Sequence, residues 1–112
     1  MENNPASANE RRTYFRVIYP LEYRPIITIR AMQFSIIDIS EAGVRFYNPE
    51  GTKLPGDIFQ ATVVLHDNDP FNIVGRIIRR RDVEAAMMMT IRGIPFIRII
   101  AEQAYLRQLD RQ

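Results

Sequence analysis

The chain has 112 residues, of which 46% are hydrophobic and 25% charged, with a formal net charge of +2 at pH 7. This length predicts one domain with a full core, and the small net charge argues only weakly for a polyanionic partner. The absence of cysteine excludes disulfides, thiolate metal sites and cysteine nucleophiles. The single histidine, His66, argues against a histidine-rich metal site or a Ser-His-Asp triad.

No apolar run approaches the roughly 18 residues of a membrane span, and residues 1–4 lack the basic-then-apolar order of a secretory signal. We therefore expect no membrane insertion and a cytoplasmic location. Lys53 is the only lysine, so nearly all the positive charge is arginine, which grips phosphate through a planar fork and stacks on flat rings. A GC-rich genome would produce the same bias, and both explanations stay open.

Residues 1–10 show no apolar periodicity and are predicted to form a flexible tail, which leaves 11–112 as a single domain. Beyond the tail, short runs of β-branched and aromatic residues alternate with turn residues, as is typical of strands. Six strands are predicted, over residues 21–29, 32–39, 44–47, 58–65, 71–80 and 84–91. Pro25 marks an edge, a bulge or an imperfect start of the first strand, because proline cannot donate to a ladder.

Antiparallel strands with short links predict a mainly β fold, either a small barrel or a sandwich. After Pro95, Ala101, Tyr105 and Leu109 recur every four residues among polar residues that include Glu102. This pattern predicts one amphipathic helix, which caps an open end of the sheet or packs against a partner.

Two details of side-chain direction follow from the strand pattern. Alternation along residues 32–39 places Ile36 on one face and extends that face to Asp38. Met87-Met88-Met89 lies within a strand, so alternate methionines should face the core and the exterior. His66 is predicted to be an exposed loop residue.

Asp38, Ser40 and Gly43 lie where one predicted strand ends and the next begins. Asp and Ser side chains commonly hydrogen-bond nearby backbone in such turns, and glycine accepts a positive φ that other residues resist. A strand-to-strand turn therefore explains the three residues. The functional alternative is that the carboxylate and the hydroxyl project from the rim of the sheet toward a ligand.

Arg11, Arg12 and Arg16 precede the first apolar run. The ordinary interpretation is a solvated basic arm. Arg12 and Arg16 are four residues apart, however, so they share a face in either a helical or an extended segment, and their two guanidinium groups could close on one ligand. The later run Arg79-Arg80-Arg81 is either a solvated cluster or an extension of this basic surface.

The arginine arm over residues 11–16, followed by Asp-x-Ser-x-x-Gly over residues 38–43, resembles the PilZ domain family of bacterial receptors for cyclic di-GMP. The resemblance covers about residues 10–112 and includes the segments 75–79 and 92–96. It implies a six-stranded antiparallel PilZ-type β-barrel with a C-terminal α-helix. With no paired acids, phosphate loop or nucleophile constellation, we expect no enzymatic activity.

The resemblance also implies roles for the motif residues. Arg12 and Arg16 match the pair that grips ligand phosphates, stacks on base planes and binds the Hoogsteen edge of guanine. Asp38, Ser40 and Gly43 match the motif that holds the other guanine edge. The chemistry agrees, because guanine presents acceptors on its Hoogsteen edge and donors on its Watson–Crick side, which suit arginine and a carboxylate.

In the family, an arginine at the position of Arg11 accompanies an intercalated ligand dimer. We therefore expect a stacked pair of cyclic di-GMP molecules, no metal, and relay of the signal to an unidentified protein effector. One alternative is an adaptor that acts by protein contacts without ligand. Another is a small barrel that binds RNA or DNA, but only Tyr14 and Phe15 add aromatics to the arm, so no nucleic acid polymer is expected.

Overall fold

A computed structural model describes residues 15–110 of the chain. These residues form strands β1 Val17–Ile18, β2 Ile26–Ile29, β3 Met32–Ile39, β4 Gly43–Tyr47, β5 Phe59–Val64, β6 Phe71–Arg81 and β7 Glu84–Arg92, followed by helix α1 Phe96–Asp110. The predicted tail lies outside the described residues. Between residues 15 and 110, no helix is long and apolar enough to cross a membrane.

The strands form one antiparallel sheet in the order β1-β3-β2-β5-β6-β7-β4, and β4 also pairs with β3 to close it. Strands β2 to β7 thus make a six-stranded barrel in which every strand has a partner on both sides. The short β1 pairs with β3 beyond the end of β2. The predicted mainly β barrel with a C-terminal helix is confirmed.

The first barrel strand is shorter than predicted. Residues 21–25 form a turn and a loop, in which the amide of Tyr23 donates to the carbonyl of Pro20 at 3.0 Å. Regular pairing starts after Pro25, whose carbonyl accepts from the amide of Ile36 at 2.8 Å. Pro25 has no amide hydrogen to donate, so it marks an imperfect start of the strand. Strand β1 was missed because two residues carry no periodic signal.

Inward-facing side chains of the barrel strands form a single hydrophobic core that includes Phe46, Val63 and Ile73. The predicted alternation of the methionines is confirmed, because Met87 and Met89 are buried in this core and Met88 is half-buried. The strand pattern alone therefore predicted the alternation, and the structure shows which methionines fill the barrel.

The predicted apolar face of α1 is wrong in part. Ala101 is exposed, and Tyr105 is only partly buried. The deeply buried positions are Ile99 and Glu102, and Leu106 packs against the core beside them. The face was misassigned because a carboxylate, Glu102, was placed on the polar side of the helix.

Glu102 is buried because partners from two other segments satisfy its carboxylate. The hydroxyl of Tyr19 donates to Oε1, and Nδ1 of His66 contacts Oε2. The His66 ring also stacks on Tyr105, with ring centroids 4.3 Å apart. His66 is an exposed residue in the loop after β5, as predicted, and its ring also contacts the helix. These four residues form the Glu102 cluster, which fastens α1 to the barrel.

Burial, and then the hydrogen bond and negative charge of Glu102, raise the pKa of Tyr19 above its ordinary value. Tyr19 therefore stays protonated and remains a donor to Glu102. Because the folded-state pKa is the higher one, this contribution to stability is complete below the unfolded-state pKa of about 10 and is lost as pH rises above it.

Tyr19→Phe should lower the free energy of unfolding at pH 7 by about 1–3 kcal/mol, because it leaves a buried carboxylate short of a donor. Urea denaturation measures this, with Tyr23→Phe as the control because the Tyr23 side chain is exposed. The difference between wild type and Tyr19→Phe should shrink above about pH 10. Equal stability of wild type and Tyr19→Phe at pH 7 would contradict the role given to the hydroxyl.

Candidate functional site

A bulge in β3 turns Asp38 to the outside of the barrel. Strands β3 and β4 pair Ile36 with Phe46 and then Asp38 with Arg45. The skipped residue, Ile37, is one extra residue on β3, and such a bulge reverses the alternation of the side chains that follow it. The predicted alternation, which put Asp38 on the same face as Ile36, is therefore wrong. Asp38 faces outward, on the side where Arg45 lies.

Asp38 is fully buried although it lies on the outer face, because two arginines cover its carboxylate. Nη1 of Arg16 donates to Oδ1 at 2.9 Å. Arg45 donates to Oδ2 from Nε at 2.8 Å and from Nη2 at 2.6 Å. Charge-assisted hydrogen bonds of this kind compensate the loss of solvation that a buried carboxylate suffers.

The two arginines hold Asp38 in different ways. Burial by itself lowers the pKa of Arg45, but the hydrogen bonds and charge of Asp38, together with Glu84, raise that pKa above its ordinary value. Arg45 also donates to Glu84 at 3.0 Å, so it is fixed between two carboxylates. The Arg16 side chain is 54% exposed and has Asp38 as its partner among the described residues. A ligand can therefore compete for Arg16 far more readily than for Arg45.

Ser40 organises the turn between β3 and β4. Its hydroxyl oxygen accepts from the amides of Gly43 at 3.1 Å and Ala42 at 3.3 Å, and its own amide donates to the carbonyl of Gly43 at 2.9 Å. The predicted strand-to-strand turn is therefore present. The hydroxyl oxygen of Ser40 accepts hydrogen bonds from amides of the turn. The hydroxyl hydrogen is the part of this group that can still be donated to another acceptor.

The structure favours glycine at position 43 for a different reason from the predicted one. Its φ does not lie in the left-handed region, so a positive φ is not the explanation. A Cβ at this position would lie 3.3 Å from the carbonyl oxygen of Met87 in β7, which is a tight contact with backbone. At Gly93 a Cβ would lie 2.5 Å from the carbonyl oxygen of Glu41. The β3–β4 turn is thus packed closely against β7 at Met87 and against Gly93, the residue that follows β7.

Two of the predicted site residues, Arg16 and Asp38, are in direct contact, and the turn that follows Asp38 contains Ser40 and Gly43. The remaining two, Arg11 and Arg12, lie outside the described residues. The carboxylate of Asp38, with its covering guanidinium groups, can recognise a ligand that offers both donors and negative charge. Within residues 15–110, no group of three or more acidic or histidine side chains could hold a metal ion.

Arg45 was missed, although the sequence contained a signal for it. A hairpin that pairs Ile39 with Val44 across the turn places Arg45 opposite Asp38. The predicted strand bounds already implied this pairing. Strict alternation along residues 32–39 put Asp38 on the face of Ile36, opposite to the face on which the bulge places it beside Arg45.

Asp38→Asn should destabilise the fold by about 1–3 kcal/mol, because it removes the negative charge that holds two guanidinium groups together. The partial exposure of both arginines should keep the loss near the lower end of this range. Thermal unfolding measures the effect. Asp82→Asn is the control, because Asp82 is exposed and asparagine tolerates its φ of 52°. An Asp38→Asn variant as stable as wild type would show that this charge does not organise the surface.

One protein family matches nearly the whole chain. The model of the PilZ domain family matches residues 10–112. The crystal structure of an uncharacterised Legionella protein, Lpg0364, is similar with a TM-score of 0.63 and 17% sequence identity, covering 88% of this chain and 100% of that chain. At this identity the likeness shows the fold alone. No curated protein matches the chain.

Proposed function

The chain belongs to the PilZ domain family, a family that binds cyclic di-GMP, and from this premise we propose that it is a cyclic di-GMP receptor. We propose that Arg12 and Arg16 bind the ligand from one side. Asp38, Ser40 and Gly43 form the opposing side of the site. The observation that carries the proposal is the contact between the exposed guanidinium of Arg16 and the buried carboxylate of Asp38.

The two carboxylate oxygens of Asp38 have different partners and, in this proposal, different roles. Oδ2 is held by Arg45, whereas Oδ1 is contacted by Arg16. We propose that Arg16 leaves Oδ1 when ligand arrives and binds phosphate or the acceptor edge of guanine. Oδ1 then accepts from the donor edge of guanine, which matches the hydrogen-bonding pattern of that base.

The exchange is energetically reasonable. When Arg16 leaves, Arg45 keeps Oδ2 hydrogen-bonded and the ligand takes the place of Arg16 at Oδ1, so the buried carboxylate does not lose its partners. A hydrogen bond to a charged group contributes about 1.5–3 kcal/mol, and the ligand would gain several. Ordering the arm costs about 1–2 kcal/mol per residue, which these contacts must exceed.

Relay of the signal would run through β1. Arg16 immediately precedes this strand, and Tyr19 immediately follows it and donates to Glu102 of α1. A ligand that repositions Arg16 therefore acts on a two-residue strand whose other end is fastened to the helix. We propose that an unidentified protein effector reads the resulting change at β1 and α1.

One observation favours the alternative of a ligand-independent adaptor. The carboxylate of Asp38 is already satisfied by the chain's own arginines, so the motif has a structural use without ligand. The two functions differ in one measurable respect, because only the receptor binds cyclic di-GMP.

Isothermal titration calorimetry should show that the chain binds cyclic di-GMP with a micromolar or tighter dissociation constant, as an order of magnitude. Arg12→Ala and Arg16→Ala should each nearly abolish binding, because each removes a bidentate charged contact. Arg107→Ala is the control, because Arg107 is an exposed arginine in the last turn of the helix. Tight binding retained by both arm variants would refute the site, and no binding by wild type would favour the adaptor.

Arg11→Leu should reduce the number of ligand molecules bound per chain from two to one. The expectation rests on the family pattern, in which an apolar residue at this position accompanies a single ligand molecule. The stoichiometry from calorimetry, checked by equilibrium dialysis, measures it. If Arg11→Leu binds the same number of ligand molecules per chain as wild type, Arg11 does not determine whether the ligand binds as a stacked pair.

A further inference from the structure

The outer face of the barrel carries a row of side chains in register across four strands. Asp38 in β3 pairs with Arg45 in β4, Arg45 pairs with Ala86 in β7, and Ala86 pairs with Arg79 in β6. Paired residues direct their side chains to the same face of a sheet. Arg79 therefore lies on the same surface as Asp38, although 41 positions separate them in the sequence.

A second bulge decides which arginines of β6 face outward. The register between β6 and β7 shifts between Ile77 and Arg79. Beyond the shift, Arg79 and Arg81 lie on the outer face, whereas Arg80 pairs with the inward-facing Ala85. Three consecutive arginines are thus divided between two surfaces. Arg80 lines a separate depression together with Lys53 and Leu54.

The outward arginines surround a small cavity of about 50 Å³, which we call the outer arginine pocket. Its lining consists of Arg45, Arg79, Arg81, Glu84, Ala85 and Ala86. The methyl side chain of Ala86 leaves space between the longer side chains. Since roughly 10–15 Å³ of such space holds one water molecule, the pocket has room for a phosphate group.

The charges around the pocket are unbalanced. Arg79 and Arg81 have no carboxylate partner among residues 15–110, and Arg45 is shared between Asp38 and Glu84. Glu84 is the one carboxylate in the lining, against three guanidinium groups. Guanidinium groups bind phosphate oxygens through paired hydrogen bonds, so this set of side chains favours a phosphate over a neutral ligand.

We propose that the outer arginine pocket binds a phosphate group. The lining of the pocket extends from one to three strand spacings from Asp38, about 5–15 Å, within the reach of one dinucleotide. On the proposed function, it takes a phosphodiester of the cyclic di-GMP assembly whose guanine is held at Asp38. The ligand's identity rests on that function, whereas the phosphate site itself rests on the pocket.

The direct test is a titration of the ¹⁵N-labelled full chain with inorganic pyrophosphate, followed through its backbone amide resonances. Saturable shifts should concentrate at Arg79, Arg81 and Ala86. They should be lost in Arg79→Ala and Arg81→Ala but kept in Arg80→Ala, the matched control whose side chain faces the other surface. Circular dichroism confirms that each variant is folded. If wild type shows no localised shifts, or if Arg80→Ala loses them to the same extent as the other two variants, the proposed phosphate site is overturned.

Calorimetry with cyclic di-GMP tests the identity of the ligand. Arg79→Ala and Arg81→Ala should each weaken binding about tenfold, the effect of one lost charge-assisted contact, and Arg80→Ala should not. Suppose that wild type does not bind cyclic di-GMP in calorimetry, but pyrophosphate still shifts the resonances of the pocket residues. The proposed function then fails and the phosphate site stands. If cyclic di-GMP binding requires Arg16 while pyrophosphate produces no shifts, the function stands and the pocket is refuted.

Discussion

The buried carboxylate of Asp38 needs positive charge, and that need organises one side of the barrel. A carboxylate removed from water costs several kcal/mol unless it is paired and hydrogen-bonded. Arg45 supplies one guanidinium from the neighbouring strand, and Arg16 supplies another from the segment ahead of β1. Arg16, the β3–β4 hairpin and, through Glu84, strand β7 therefore meet around one charge.

A second buried carboxylate, Glu102, lies beyond the other end of β1. Tyr19 donates to it from the residue after the strand, just as Arg16 donates to Asp38 from the residue before. Strand β1 pairs only two residues with β3, and it is also held by the buried side chain of Val17 and by the amide of Tyr19, which donates to the carbonyl of Ile37. Any event that alters the contact of Arg16 therefore acts directly on the end of a short strand.

The sequence predicted the barrel strands well because their signals are local. Alternating apolar residues and turn residues mark each strand within a window of a few positions, and the alternation of the methionines between core and exterior followed from that pattern. The helix was also predicted, but its buried face was misassigned. Glu102 is buried through partners 83 and 36 positions away, Tyr19 and His66, and no local window contains them.

By itself, the sequence determined the six strands of the barrel, the C-terminal helix and the two motifs that resemble the PilZ family. Only the tertiary structure decided that Asp38 faces outward and that Arg79 and Arg80 face opposite surfaces. The physical reason is the same in each case. A bulge shifts the alternation of a strand by one residue, and a bulge is a property of pairing with a distant strand, which strict alternation along one strand does not contain.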